Sequence, residues 1–306
     1  MGKFVRKFDG ELVKKLQETQ LFQLLLEDIK KGEVFPCIRN NLIAFYYKGS
    51  LLFKYDKNGF HTHYKFLINN DKEKPYVSGD GTTDSKIDVQ NMIIDNFVDG
   101  YKSIKQSIGI YAKPEAEFTS GFYCKSFFSE ECKGDRILID IEAAFERPND
   151  VETEAVATDV NSKKRKNVDR IDTVFFDKKL KQIVFCEVKR FNDARLMSQK
   201  GQRAEVVGQL IRYETQIKKS ERDIINNYNV AFRIYNELFG TPELVVEKVY
   251  PQSVLFVTGC AELLYKDKTE GEVEKIRNET GYAVIFRDHP SGRAVNDITS
   301  VCRPKK

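Results

Sequence analysis

Apolar side chains recur at helical spacing near the start of the chain. Leu12, Leu16, Phe22, Leu25, Leu26 and Ile29 form a stripe over residues 9–31, interrupted around Thr19. The period then shortens to two. Residues 43–47, 51–55 and 60–66 read as strands, joined by the turn signals Lys48-Gly49-Ser50 and Asp56-Lys57-Asn58-Gly59. A small antiparallel sheet packed on the first helix is predicted. The polar stretch 69–85, with Pro75, Gly79 and Gly81, breaks the pattern. It marks the expected boundary between an N-terminal α+β domain, residues 1–84, and a second domain, residues 85–306.

Past that boundary the pattern predicts a helix over 87–108, strands over 136–145, 171–176 and 183–189, and a long helix over 196–218 continued to 239. A strand over 253–258, a helix around 262–277 and a strand over 282–286 follow. This order is α/β, a mixed central sheet flanked by helices. Asp288-His289-Pro290-Ser291-Gly292-Arg293 reads as a turn. There is no internal repeat and no phosphate-binding glycine loop.

The two strands over 171–189 carry the candidate chemistry. If Asp177 pairs with Gln182 across a four-residue loop, Asp172 stands opposite Glu187, with Cβ atoms about 5 Å apart. Alternation then puts Lys189 on the face of Glu187, and Val184, Cys186 and Val188 on the apolar face. Opposed carboxylates repel unless a cation lies between them, and hard oxygen ligands suit Mg²⁺ or Mn²⁺. The bland alternative is a solvated strand face, since a chain rich in Glu and Lys contains Glu-x-Lys by chance. In the helix that follows, Val206, Val207, Leu210, Ile211 and Ile217 form the packing stripe, while Gln209 and Tyr213, at i and i+4, share a face.

Composition narrows the field. With 306 residues and 41% hydrophobic content the chain can build a large core. A net charge of only +4 excludes a globally polycationic nucleic-acid binder, so any such footprint is local. Lys163-Lys164-Arg165-Lys166 is the clearest basic run; a solvated loop is its other reading. Tyr46, Tyr47, Lys48, Lys54, Tyr55, His61, His63 and Lys65 give the N-terminal sheet a basic and aromatic surface suited to nucleic acid, a peptide or a partner subunit. His61 and His63 lack a third ligand and read as surface residues. Cys37, Cys124, Cys132, Cys186, Cys260 and Cys302 contain no C-x-x-C pair, which argues against a zinc ribbon. Cys186 is expected to be a buried small hydrophobe. No signal peptide or membrane-length apolar run is evident, so a cytoplasmic protein with reduced thiols, without membrane attachment, is expected.

Three motifs together resemble the PD-(D/E)XK nuclease superfamily, in particular its RecB-type branch. Asp169-Arg170-Ile171-Asp172 is similar to the D-R-I-D signature, Glu187-Val188-Lys189 to (D/E)-x-K, and Gln209-x-x-x-Tyr213 to Q-x-x-x-Y. The likeness covers roughly residues 136–259. It implies a restriction-endonuclease-like core and a Mg²⁺- or Mn²⁺-dependent nuclease acting on nucleic acid, DNA more than RNA. Asp172, Glu187 and the carbonyl of Val188 would hold the metal. Lys189 would activate water, and Gln209 and Tyr213 would support the site. The further Glu that many members supply from the first core helix is missing; Asp88, Asp95 and Asp99 are what residues 87–108 offer, and Glu142 is a substitute candidate. The cysteine grouping of iron-sulfur members is absent, so no cluster is expected. The family's habits suggest action alone, as a homo-oligomer or with a partner subunit in antiviral defence, restriction or repair. The alternative is a catalytically silent nucleic-acid- or partner-binding module on the same fold.

Overall fold

Thr19 divides the first helical stripe. Its hydroxyl accepts from the Phe22 amide at 3.3 Å and so caps a new helix, giving α1 (Gly10–Gln17) and α2 (Gln20–Lys30). The computed structural model describes residues 4–63, 66, 86–88, 97–111, 118–130, 132, 134–146, 168–199, 202–259 and 266–301. They belong to two compact units. One comprises Met1–Val5, Asp135–Tyr228 and Val245–Lys306, and the other Arg6–Gly134 and Asn229–Leu244. This division differs from the one expected at residue 85, which falls among strands and helices of a single unit.

The Arg6–Gly134 unit carries an antiparallel sheet in the order β1 (Val34–Ile38), β2 (Ile43–Tyr47), β3 (Ser50–Asp56), β4 (Gly59–His63) and β5 (Lys86–Asp88). Pro36, which has no amide hydrogen to donate, lies on the edge strand β1. Lys48 and Gly49, at φ 47° and 71°, make the left-handed two-residue turn that matches strand twist between β2 and β3. Two expectations are corrected here. Lys86–Asp88 is a strand paired with His61–His63 where a helix was expected to begin, and the helix α3 spans Phe97–Tyr111. Local periodicity carries no information about that distant pairing. Tyr46 and Tyr55 are buried core residues, so they do not contribute to a basic and aromatic surface. The side chains of His63 and Lys65 lie outside the described residues, as does the run Lys163–Lys166.

The other unit is built on a mixed sheet. β6 (Arg136–Glu146), β7 (Val168–Asp177) and β8 (Gln182–Arg190) form an antiparallel meander. β10 (Val254–Thr258) runs parallel to β8, β11 (Val284–Phe286) runs parallel to β10, and the short β9 (Lys248–Val249) also pairs with β8. The parallel return is made by α4 (Glu205–Phe239), one continuous helix of 35 residues whose last part, from Asn229, belongs to the other unit. α5 (Lys266–Thr280) and α6 (Gly292–Ser300) complete the fold. Val206, Val207 and Leu210 join Leu255, Val257, Val273 and Ile276 in a shared core. A mixed α/β sheet flanked by helices is therefore observed, with a smaller antiparallel sheet.

α4 starts later than expected. Leu196 closes a short 3₁₀ turn capped by Asp193, and an isolated bridge between Gln199 and Gln202 precedes the helix. Ile211, expected in the packing stripe, is 47% exposed. At 3.6 residues per turn it lies 100° round from buried Leu210, outside the face that Val206, Leu210, Tyr213 and Ile217 share. α6 begins inside the stretch 288–293 expected as a turn; Ser291 caps it, accepting from the Ala294 amide at 3.3 Å.

Candidate metal centre

The β7–β8 hairpin sets the geometry. Asp177 pairs with Gln182, and the register continues to Thr173 opposite Cys186, where the paired ladder ends one residue short of Asp172 and Glu187. The turn is fixed by Asp177, whose Oδ1 accepts from the amides of Lys179 and Leu180 at 3.0 Å each. Arg136 Nε donates to Asp177 Oδ2 at 3.2 Å and ties the turn to β6. Cys186 is fully buried, and burial pushes its thiol pKa up.

Asp172, half-buried, accepts a hydrogen bond on Oδ2 from the Val188 amide at 2.8 Å. Glu187 is 1% exposed and Lys189 4% exposed. Lys189 Nζ donates to Glu187 Oε1, and lies 3.5 Å from the Val188 carbonyl oxygen. Gln209 Nε2 also donates to Glu187 Oε1, at 2.8 Å, and to Tyr213 Oη at 2.6 Å. Tyr213 Oη in turn donates to the Arg170 carbonyl at 2.6 Å. Glu187, Lys189, Gln209 and Tyr213 are thus joined by side-chain hydrogen bonds, while Asp172 is tied to β8 through the Val188 backbone amide. Glu187 Oε2 is buried and has no hydrogen-bond partner.

Desolvation and the neighbouring charge of Glu187 push the Asp172 carboxyl up to about 8, against the opposing influence of Lys189 and the Val188 amide. Glu142 adds to the rise. Ile141 faces Thr173 and Ala143 faces Ile171, so Glu142 occupies the position opposite Asp172 on β6. It has the left-handed φ of 47°, rare for a residue with a side chain, and its Oε2 lies 3.6 Å from Arg170 Nη1. Tyr213 is kept protonated by burial and by the field of Glu187.

Neither a protein-family model, nor a curated protein, nor a solved structure matches this chain. The chemistry of the donors therefore carries the reading. Among the described residues no group of three or more His, Cys, Asp or Glu is gathered to hold a metal unaided. The pair Asp172 and Glu187, with the Val188 carbonyl close to Lys189, is an all-oxygen donor set of the type that suits a hard cation, and the orphaned Glu187 oxygen is a buried acceptor without a donor. Asp95 and the side chains of Asp88 and Asp99 lie outside the described residues.

The sequence did not single out what ties β6 and β7 to α4. Asp169 accepts from Gln216 Nε2 at 2.9 Å and lies 3.7 Å from Arg212 Nε. Asp140 accepts from Tyr228 Oη at 2.9 Å and from the Ile141 amide at 2.8 Å. The signal was present in acids on apolar strands, which are buried only when paired. No described helix is long and apolar enough to cross a membrane.

Proposed function

We propose that this chain is a Mg²⁺- or Mn²⁺-dependent nuclease that hydrolyses phosphodiester bonds, with DNA as its substrate, on a restriction-endonuclease-like core. The observation that carries this reading is the buried, unpartnered Oε2 of Glu187 beside Asp172 on the adjoining strand. A desolvated carboxylate oxygen without a donor costs about 1–3 kcal/mol or more, and a divalent cation shared with Asp172 would satisfy it. The meander followed by a crossover helix and a parallel strand agrees with the fold that the three motifs imply.

Asp172, Glu187 and the Val188 carbonyl would hold the ion, which when bound supplies Lewis acidity toward a phosphate and its attacking water. Everything else falls to the chain. Lys189, held by Glu187, keeps an ammonium beside the carboxylates, where it offsets charge on the phosphate and orients water. Gln209 fixes the Glu187 carboxylate. Tyr213, protonated, passes that restraint to the backbone of β7. Action as a homo-oligomer or with a partner subunit, in defence, restriction or repair, belongs to the same proposal.

The test is incubation with linear, closed-circular and single-stranded DNA and with RNA, with and without Mn²⁺, alongside Glu187→Ala. Mn²⁺-dependent cleavage that the variant lacks is expected, and survival of closed circles alone would mark an exonuclease. Equal cleavage by both proteins would end this reading. Mn²⁺ binding through Asp172 and Glu187 without turnover on any substrate would instead favour a binding module.

A further inference from the structure

A cleft of about 510 Å³ opens in the Arg6–Gly134 unit between α2, the β2–β3 turn and α3. Its floor is a buried carboxylate. Asp28 accepts from Tyr101 Oη at 2.6 Å and from Lys105 Nζ at 2.7 Å, and Lys105 also reaches Glu33 Oε2 at 2.8 Å. The same ammonium stands 4.7 Å from the centroid of the Tyr47 ring and 5.6 Å from that of Tyr101. Lys105 is therefore held by two acids and two aromatic faces, and its charge is spent within the fold.

The rim is one-sided in charge. Lys31, Lys48 and Lys102 come from three separate segments, and besides Asp28 only Glu27 opposes them in the lining. Lys31 lies 3.9 Å from Asp28 Oδ1. Lys48 and Lys102 have no carboxylate within 4.0 Å among the described residues. The left-handed turn aims Lys48 at α3, where its Nζ sits 3.7 Å from the place a side chain on Gly109 would begin. Lys48 and Lys102, ammoniums from separate segments without a matching acid, give the cleft an excess of positive charge that favours an anion there.

We propose that this cleft binds a small phosphorylated molecule of nucleotide size, its phosphates held by Lys31, Lys48 and Lys102. The volume falls within the roughly 300–1,000 Å³ of small-molecule sites. Lysine binds phosphate as a point charge, and three of them suit a compact terminal phosphate group. An extended nucleic-acid strand would need a groove that tracks its backbone and aromatic faces left free for its bases, whereas the Tyr47 ring already carries Lys105. This inference stands apart from the nuclease reading, because no residue of the metal centre takes part.

Calorimetric titration of the full chain in EDTA with ATP, pyrophosphate, adenosine and a single-stranded oligothymidylate tests it. ATP and pyrophosphate should bind and adenosine should not. Lys48→Glu/Lys102→Glu should weaken ATP binding by about tenfold or more, through loss of charge-assisted contacts. Lys14→Glu/Lys15→Glu, two exposed lysines on α1, should leave it unchanged. The milder Lys48→Gln/Lys102→Gln should follow the first variant if charge reversal disturbs folding. Absence of ATP binding, equal weakening by the α1 control, or sensitivity of the oligonucleotide alone to the Lys48 and Lys102 changes would overturn the proposal.

Discussion

Glu187 shares one carboxylate oxygen between Lys189 and Gln209 and leaves the other bare. That asymmetry separates what its neighbours do. Lys189→Met keeps the aliphatic stem and removes the ammonium, so cleavage should fall by about a hundredfold or more, while Mn²⁺ binding by calorimetry stays within a few-fold of wild type. Glu187→Gln should lose both. The raised Asp172 pKa makes a separate prediction for the metal-free protein. Below the ordinary carboxyl value of 3.8 both folded and unfolded chains hold this proton. As pH rises the unfolded chain releases it first and the folded chain keeps it until about 8, so the folded state loses stability across that window. One pKa unit is worth about 1.4 kcal/mol, so even part of the shift is measurable. In EDTA the unfolding midpoint should therefore drop between pH 5 and pH 8 more steeply for wild type than for Asp172→Asn, and added Mg²⁺ should raise it only in wild type. Parallel pH curves for the two proteins would remove the raised pKa assigned to Asp172.

At the scale of elements, the centre depends on α4 being pinned to the sheet at three levels: Gln209 and Tyr213 near Glu187 and Arg170, Gln216 at Asp169, and Tyr228 at Asp140. Tyr213→Phe keeps the ring and removes the hydroxyl that bridges helix and strand. A loss of about 1 kcal/mol in denaturant stability is expected, with activity reduced roughly ten- to a hundredfold and metal stoichiometry unchanged. Tyr228→Phe strips a donor from buried Asp140 and should cost more stability, about 1–3 kcal/mol; an unchanged midpoint would mean the pin is idle. Only the first of these pins was legible in the sequence, because a hairpin register and an i, i+4 pair are local, whereas Gln216 and Tyr228 meet partners on distant strands. Asp172, Glu187, Lys189, Gln209 and Tyr213 were singled out that way. What stayed hidden depended on distant partners or unusual backbone. The strand Lys86–Asp88 exists by pairing with β4, and Glu142 takes a left-handed φ inside β6. α6 was within reach, since Ser291 followed by Ala294, Val295 and Ile298 is a cap with a helical stripe.

On the scale of the whole molecule, sequence order and compactness part company. Residues 229–244 come after the candidate metal centre in the chain, yet they belong with the N-terminal sheet: Tyr235 Oη accepts from the Ile38 amide at 3.0 Å. The rings of Phe128 and Tyr235 lie 4.8 Å apart, and those of Phe128 and Phe239 5.3 Å apart. The reverse exchange occurs at the amino terminus, where Phe4 meets Phe145 at 5.2 Å and Tyr228 at 5.3 Å. A linear cut at residue 85 would therefore strip both cores. The fragment 85–306 would keep Tyr235 and Phe239 without the strand and helix that cover them, and would lose Phe4 from beside Phe145. Burying one aromatic side chain contributes about 1.5–3 kcal/mol, comparable with a large share of a domain's net stability. The fragment should aggregate or melt well below the full chain, and light scattering with thermal unfolding would show it. Fragments 1–134 and 135–306 should behave no better alone, but co-expression should recover soluble material containing both, because the aromatic cluster around Phe128, Tyr235 and Phe239 can then close. A stable, monomeric 85–306 fragment with full Mn²⁺ binding would instead restore the boundary that the polar stretch 69–85 suggested.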